Sequence, residues 1–366
     1  MQKRKVLLSF IIGVLVFLSA CGNNANISAD VVTETPPIST GNTSEPAGQT
    51  ADPSEPTPGE PVPTEEPIFN PEFKVPDPAI RPVAVMIDNQ GDRVLPQGGI
   101  GQAQIIYEII VEYNITRYMA LFWDTLPGMV GPVRSSRHYF LDYVMEHDAI
   151  YTHAGGSTYA YKDIPKLKIQ NIDYQIHGSA FWDLTADPRN WQDTYTSRVK
   201  IEDFIAKKKY RTEPQKSFPF TYHDKFTVSE NGDKAEDISI IFDTSKGSSS
   251  CGFIYDPETG HYARTRMGKP HIDRNTETQV TAVNIIVLEM KAPVIENDPY
   301  GCRDLKNIGS GKGYFITGGK SVPVKWSKTA RDAQTQISAE DGKPIVLNRG
   351  QTWIEIVRKL DYVSIK

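Results

Sequence analysis

The sequence has few signatures of familiar chemistry. It contains no H-E-x-x-H, no paired C-x-x-C, no G-x-G-x-x-G, no G-x-S-x-G and no complete calcium loop, so no metal, nucleotide or other cofactor is expected. Cysteine is scarce, at three residues in 366. A strong charge excess is also missing from the part that should fold. Residues 22 to 80 carry ten acids against Lys74 alone, a net charge of −9. With +3 in the first five residues and −5 overall, the remainder is left at +1. That balance gives no electrostatic footprint for nucleic acid.

What is present begins at the N-terminus. Lys3, Arg4 and Lys5 precede a mostly apolar run from Val6 to Ala20. A fifteen-residue helix would cover only about 22 Å of a roughly 30 Å hydrocarbon core, so the run reads as a signal peptide and not as a permanent span. Leu18-Ser19-Ala20-Cys21 fits the bacterial lipobox, with a small residue directly before cysteine. Residues 1–20 are therefore expected to be removed and Cys21 lipidated, anchoring the chain to the membrane on its outer side. Residues 21–80 are dominated by Pro, Thr, Ser, Gly and Glu. They cannot bury enough apolar surface to offset their ordering entropy and are expected to form a disordered acidic tether. Self-repulsion would keep that tether extended.

With Cys21 modified, Cys251 and Cys302 remain. In an oxidising compartment they form either a disulfide or two buried free thiols, and the sequence leaves both open. Residues 81–366 suffice for two domains, with a polar break at Ser229–Asp237, so units at 81–228 and 237–358 are expected. The first unit has β-branched and aromatic runs at Pro82–Ile87, Ile105–Glu112, Thr116–Trp123 and Ala149–His153. Helical spacing appears at Tyr139–His147, Ser157–Ile164 and Ile201–Lys209, with Ser157 placed as an N-cap. The second unit alternates short strands with Gly-bearing turns. The expected class is α+β: a mixed-sheet layered αβ unit followed by a smaller, mostly antiparallel β unit that covers or extends it.

Polar residues in apolar context concentrate between Glu108 and Ser157. Glu108 and Glu112 differ by four, which on a continuous strand puts both on one face. They read as partners of arginines across neighbouring strands or, on the enzymatic reading, as a general acid and base. Gly131-Pro-Val-Arg134-Ser135-Ser-Arg137 sets two guanidinium groups around hydroxyls ahead of a helix, a pattern suited to an anion or to internal carboxylates. His153-Ala-Gly155-Gly156-Ser157 joins a strand to a helix, and its glycines allow close backbone approach. His177-Gly178 and Gly301-Cys302-Arg303 faintly echo the histidine and cysteine elements of L,D-transpeptidases, but they lie far apart and lack the serine before Gly-Cys.

The order of segments resembles the YerB-like lipoproteins, a bacterial family with two consecutive domains. The residues that carry the resemblance are Pro82–Asn89, Pro96-Gln97, Ala103–Glu108, Glu112, Ile115–Arg117, Gly131–Arg137 and His153–Ser157. Gly311-Lys-Gly313, Gly318–Lys320, Trp326, Asp341–Pro344 and Gly350–Trp353 add the second half. Two positions depart from the family pattern: Leu95 stands where an arginine is usual, and Gln192-Asp193 where His-Asn is usual. The resemblance implies a mixed, layered αβ fold and supplies no reaction. Together these readings lead to an extracytoplasmic, membrane-anchored, non-catalytic module. Glu108, Glu112, Arg117, Arg134, Ser135, Arg137, His153, Gly155, Gly156 and Ser157 would surround an anionic group of a cell-wall glycan or peptide, or of an envelope protein. The alternatives are an enzyme acting on wall polymers through Glu108 and Glu112, and a structural scaffold for envelope machinery.

Overall fold

The computed structural model describes residues 72–187 and 189–366. The signal segment, Cys21 and the tether up to residue 71 lie outside the described residues. Three strands open the body: Val83–Asp88 (β1), Ile105–Ile110 (β2) and Thr116–Phe122 (β3), buried along their whole length. Burial on both faces explains why they read as apolar runs without alternation. Phe140–Glu146 (α1) leads to Ile150–His153 (β4), followed by Thr158–Lys166 (α2), Asn171–Asp173 (β5) and Arg198–Lys208 (α3). Ser157 caps α2 as expected, its Oγ accepting from Ala160 N at 3.2 Å.

The second half contributes Asp237–Ile241 (β6), Ser250–Asp256 (β7), His261–Arg266 (β8), Asn284–Glu289 (β9) and Gly309–Thr317 (β10). Lys320–Lys328 (β11), Gln336–Ala339 (β12), Thr352–Val357 (β13) and Val363–Ile365 (β14) complete it. One large mixed sheet runs β12-β11-β10-β9-β13-β2-β3-β1-β4-β5. Its join is β13, which lies parallel to both β2 and β9. The second half thus extends the sheet of the first. A smaller sheet of β8, β7, β6 and β14, with short flanking strands, is antiparallel throughout. The fold is α+β, as the sequence predicts.

Alternation along β2 shows the layers. Tyr107 turns to α1, its ring 4.7 Å from that of Tyr143, and Glu108 turns to the small sheet, where it meets Arg264 of β8. The predicted strand Ile105–Glu112 stops at Ile110. Glu112–Asn114 forms a 3-10 turn in which Tyr113 and Asn114 have φ of 54° and 60°. The assumption that put Glu108 and Glu112 on one strand face therefore fails. The sequence reading also misses β8 and β11. Both carry their charged residues in alternation, Arg264 and Arg266 inward in β8 and Lys328 inward in β11, so they look like solvated chain.

Residues 72–80, assigned to the tether from composition, lie on the body. Gln104 Nε2 donates to Lys74 O at 2.9 Å, and the Phe73 ring sits 6.2 Å from Tyr222. Of the glycines in the resemblance, Gly313 has the plainest reason. A Cβ there would stand 2.1 Å from Val287 O on the neighbouring strand. Gly313→Ala must push β10 off β9 and is expected to destabilise by about 1–3 kcal/mol, read as a lowered midpoint in thermal unfolding.

Candidate functional site

Strands β1, β2, β4, β5, β9 and β13 run in one direction in the large sheet, and β3 runs against them. Their carboxyl ends share an edge, where open αβ sheets commonly bind ligands. At that edge stand Asp88 ending β1, Glu112 after β2, Arg117 opening β3, His153–Ser157 after β4 and Asp173 ending β5. The 131–137 loop is laid across it: Asp88 N donates to Pro132 O and Arg134 N to Met86 O, both at 2.9 Å. The same loop zips to the turn after β4, with Ala154 N donating to Arg134 O, Ser136 N to Gly155 O and Ser157 N to Ser136 O.

Three guanidinium groups meet there. Arg137 grips Glu112 with both nitrogens of its fork, each at 2.5 Å. Arg134 Nε lies 2.8 Å from Asp88 Oδ2, Nη1 donates to Trp191 O, and its carbon stands 4.0 Å over the Trp191 ring. Arg117 is different: Nη1 donates to Ser135 O at 2.8 Å, and Nε is buried without an acceptor. It has no ion pair among the described residues. Burial and the nearby Arg137 charge pull it down to about 10, still a cation at neutral pH. Burial alone would raise Glu112, but the hydrogen bonds and charge of Arg137, with Arg117 behind, hold it below its ordinary value. The side chains of Arg134 and Arg137 are 14% and 11% exposed, so the edge shows guanidinium to solvent.

Not every expected residue joins this set. Arg117 aligns across the strands with Ile109, one position off Glu108, so the two point to opposite faces. Glu108 is fully buried between the sheets, accepting from Arg264, Thr116 and Asn89. It cannot serve with Glu112 as an acid and base on a polymer. His153 lies at the edge but is sealed. Nδ1 is 2.8 Å from Gly155 O and Nε2 2.9 Å from Asn171 Nδ2. An amide nitrogen can only donate, so Nε2 accepts and Nδ1 carries the proton. Burial outweighs Asp173 and lowers the His153 pKa, so it adds no charge for an anion. Ser135, Gly155, Gly156 and Ser157 do sit at the edge, although Gly155 N is taken by Asp173 Oδ1 at 2.9 Å and the Ser157 hydroxyl by its own helix.

Several residues at the edge escape the sequence reading. Asp88 is a lone acid ending an apolar strand, a signal that could have marked it. Trp191, Asp173 and Tyr161, whose hydroxyl donates to Asp173 at 2.9 Å, come from segments that no local pattern connects. Gln192, one of the departing positions, still reaches the edge and donates to Asp88 Oδ2 at 3.2 Å. Cys251 and Cys302 form no bridge; both are free and buried. Burial, with Glu112 next to it, pushes the Cys302 thiol up to about 12. A neutral thiol of that kind is no nucleophile, which removes the transpeptidase echo.

The fold and this edge define a class: an α+β body in which two consecutive sequence units complete one sheet, with arginine–carboxylate pairs gathered at its carboxyl edge. Residues 73–211 match the family described as "Protein of unknown function (DUF3048) N-terminal domain", and residues 240–354 match its C-terminal domain. The chain belongs to this family, that of the YerB-like lipoproteins. It is 31% identical over 291 residues to "Putative lipoprotein YerB" of Bacillus subtilis (strain 168), spanning 78% of this chain and 83% of that one. The crystal structure of the YerB protein from Bacillus subtilis superposes with a TM-score of 0.71 at 28% identity, covering 80% of this chain and all of the other.

Proposed function

We propose that the chain is an extracytoplasmic binding module, held to the membrane by lipid on Cys21, that takes an anionic group of a wall glycan, wall peptide or envelope protein at the carboxyl edge of its large sheet. The observation that carries this reading is Arg117, a buried guanidinium with one carbonyl partner and a free Nε. Asp88 and Glu112 act on it only from a distance, each engaged by another arginine, and a buried cation with no ion pair of its own is costly unless something completes it. Arg134 and the 53% exposed Trp191 lie beside it as the accessible rim, and an aromatic–arginine pair is the usual composition of a binding hot spot. The internal pairs at Asp88 and Glu112 set the guanidinium planes before any ligand arrives. The relatives' description as lipoproteins, with the lipobox at Cys21, supports the location.

Calorimetry of the mature protein against soluble wall fragments tests the reading. Arg134→Ala and Trp191→Ala are each expected to weaken binding about tenfold or more, a loss of at least about 1.4 kcal/mol. Arg198→Ala, which removes an exposed cation on α3 paired with Glu202, should leave it unchanged. No binding to any fragment, or equal affinity in all variants, rejects the proposal.

A further inference from the structure

We propose that Glu355 and Glu108 hold one proton between them inside the fold, so that closing the two sheets around Arg264 takes up a proton and the body loosens as the pH rises. The arrangement follows from the register. Glu108 of β2 and Glu355 of β13 are direct neighbours on adjacent parallel strands and share a face. Both are fully buried. Glu108 accepts three hydrogen bonds, at Oε1 from Thr116 Oγ1 at 2.5 Å and Asn89 Nδ2 at 3.1 Å and at Oε2 from the Arg264 guanidinium, which leaves Oε2 room for one more donor. Glu355 has neither oxygen satisfied. A Glu355 oxygen lies within 4.8 Å of a Glu108 oxygen and of Cys251 Sγ, and Oε1 is 3.9 Å from Arg264 Nη2.

The remaining neighbours supply no second positive charge. From β7 comes the Cys251 thiol, kept neutral by burial and the glutamates. From β3 comes the Tyr118 hydroxyl, which burial holds protonated. His271 accepts from Arg264 at Nδ1, which fixes the proton on Nε2, facing Gln97 Oε1 at 2.9 Å. Burial, then Arg264 and Arg266, keep it uncharged. Arg266 itself spends its guanidinium on Asn89 and Gly91 and lies 3.6 Å from Asp92. Val287 of β9 and Trp353 are the apolar walls. One guanidinium thus faces two carboxyl groups in a dry volume, and a proton on Glu355 removes the uncompensated charge while supplying a donor toward Glu108. Burial and then the Glu108 charge hold Glu355 well above the ordinary carboxyl range.

The sign follows directly. In the unfolded chain Glu355 ionises in the ordinary range; in the folded chain it does so only at higher pH. Between those two values the folded state carries the extra proton, so stability falls with rising pH, the unfolding constant growing about tenfold per pH unit from this site. Urea unfolding of the full chain, compared between wild type and Glu355→Gln from about pH 5.5 to about pH 8.5, reads it. The glutamine variant is expected to gain on wild type by about tenfold per unit as pH rises; parallel pH profiles would overturn the proposal. Infrared spectra of the folded proteins at neutral pH give a second reading. Wild type should show a carboxylic-acid carbonyl band that Glu355→Gln lacks. Glu108→Gln should lose it too, because Glu355 then becomes the counter-ion of Arg264. A wild-type spectrum without a band removed by Glu355→Gln would refute the shared proton.

Discussion

Arg264→Ala is expected to cost about 3–5 kcal/mol in urea unfolding at neutral pH, the range for breaking a buried pair by deleting one partner. Arg264 reaches Glu108, Glu355 and His271 together. Its guanidinium also stacks 4.0 Å over Trp353 and 5.4 Å from both Tyr118 and Phe253. Removing it leaves Glu108 charged and dry between the sheets and opens a hole among three aromatic rings. Arg264→Lys is expected to recover little, because a point charge cannot reach both the carboxylate and the imidazole. A loss below about 1 kcal/mol would mean that water reaches this seam.

Lys328→Ala should rank with it, at about 3–5 kcal/mol. Lys328 Nζ lies 2.7 Å from Glu146 Oε2, with both side chains at most 1% exposed, and it also donates to Ala333 O. The pair joins α1 of the first half to β11 of the second. Thr335 Oγ1 still donates to Glu146 at 2.8 Å after the lysine is gone, but a hydroxyl supplies no charge. Lys328→Met with Glu146→Leu, which removes both charges and keeps volume, is expected to restore most of the loss. The double variant unfolding as easily as Lys328→Ala would argue that shape, not charge, is at stake.

These two ion pairs show where sequence reading stops. The strands β1, β2, β3 and β13 are legible because burial on both faces leaves continuous apolar runs, and Ser157 is legible because capping is local. Glu108 in Ile-Ile-Tyr-Glu-Ile-Ile and Glu355 in Trp-Ile-Glu-Ile-Val are each a lone acid in an apolar strand, and only the first was singled out. Their pairing depends on β13 inserting beside β2 from about 250 residues away in the chain, which no local period encodes. Arg264 lies in His-Tyr-Ala-Arg-Thr-Arg, which reads as solvated because its inward positions are cations. The 131–137 and 153–157 loops meet at one edge for different reasons: β4 ends there, whereas β3 ends at the opposite edge and the 131–137 loop returns across the sheet end to reach it. The roles within them were harder to see: Arg137 turned to Glu112 and His153 turned inward only once tertiary partners existed.

The binding reading is tested most directly by hydrogen exchange of the mature protein with and without soluble wall fragments. The account predicts slowed exchange confined to the carboxyl edge, at residues 131–137, 153–161 and 182–193. Exchange unchanged by every fragment, or protection elsewhere such as along α3, would contradict it.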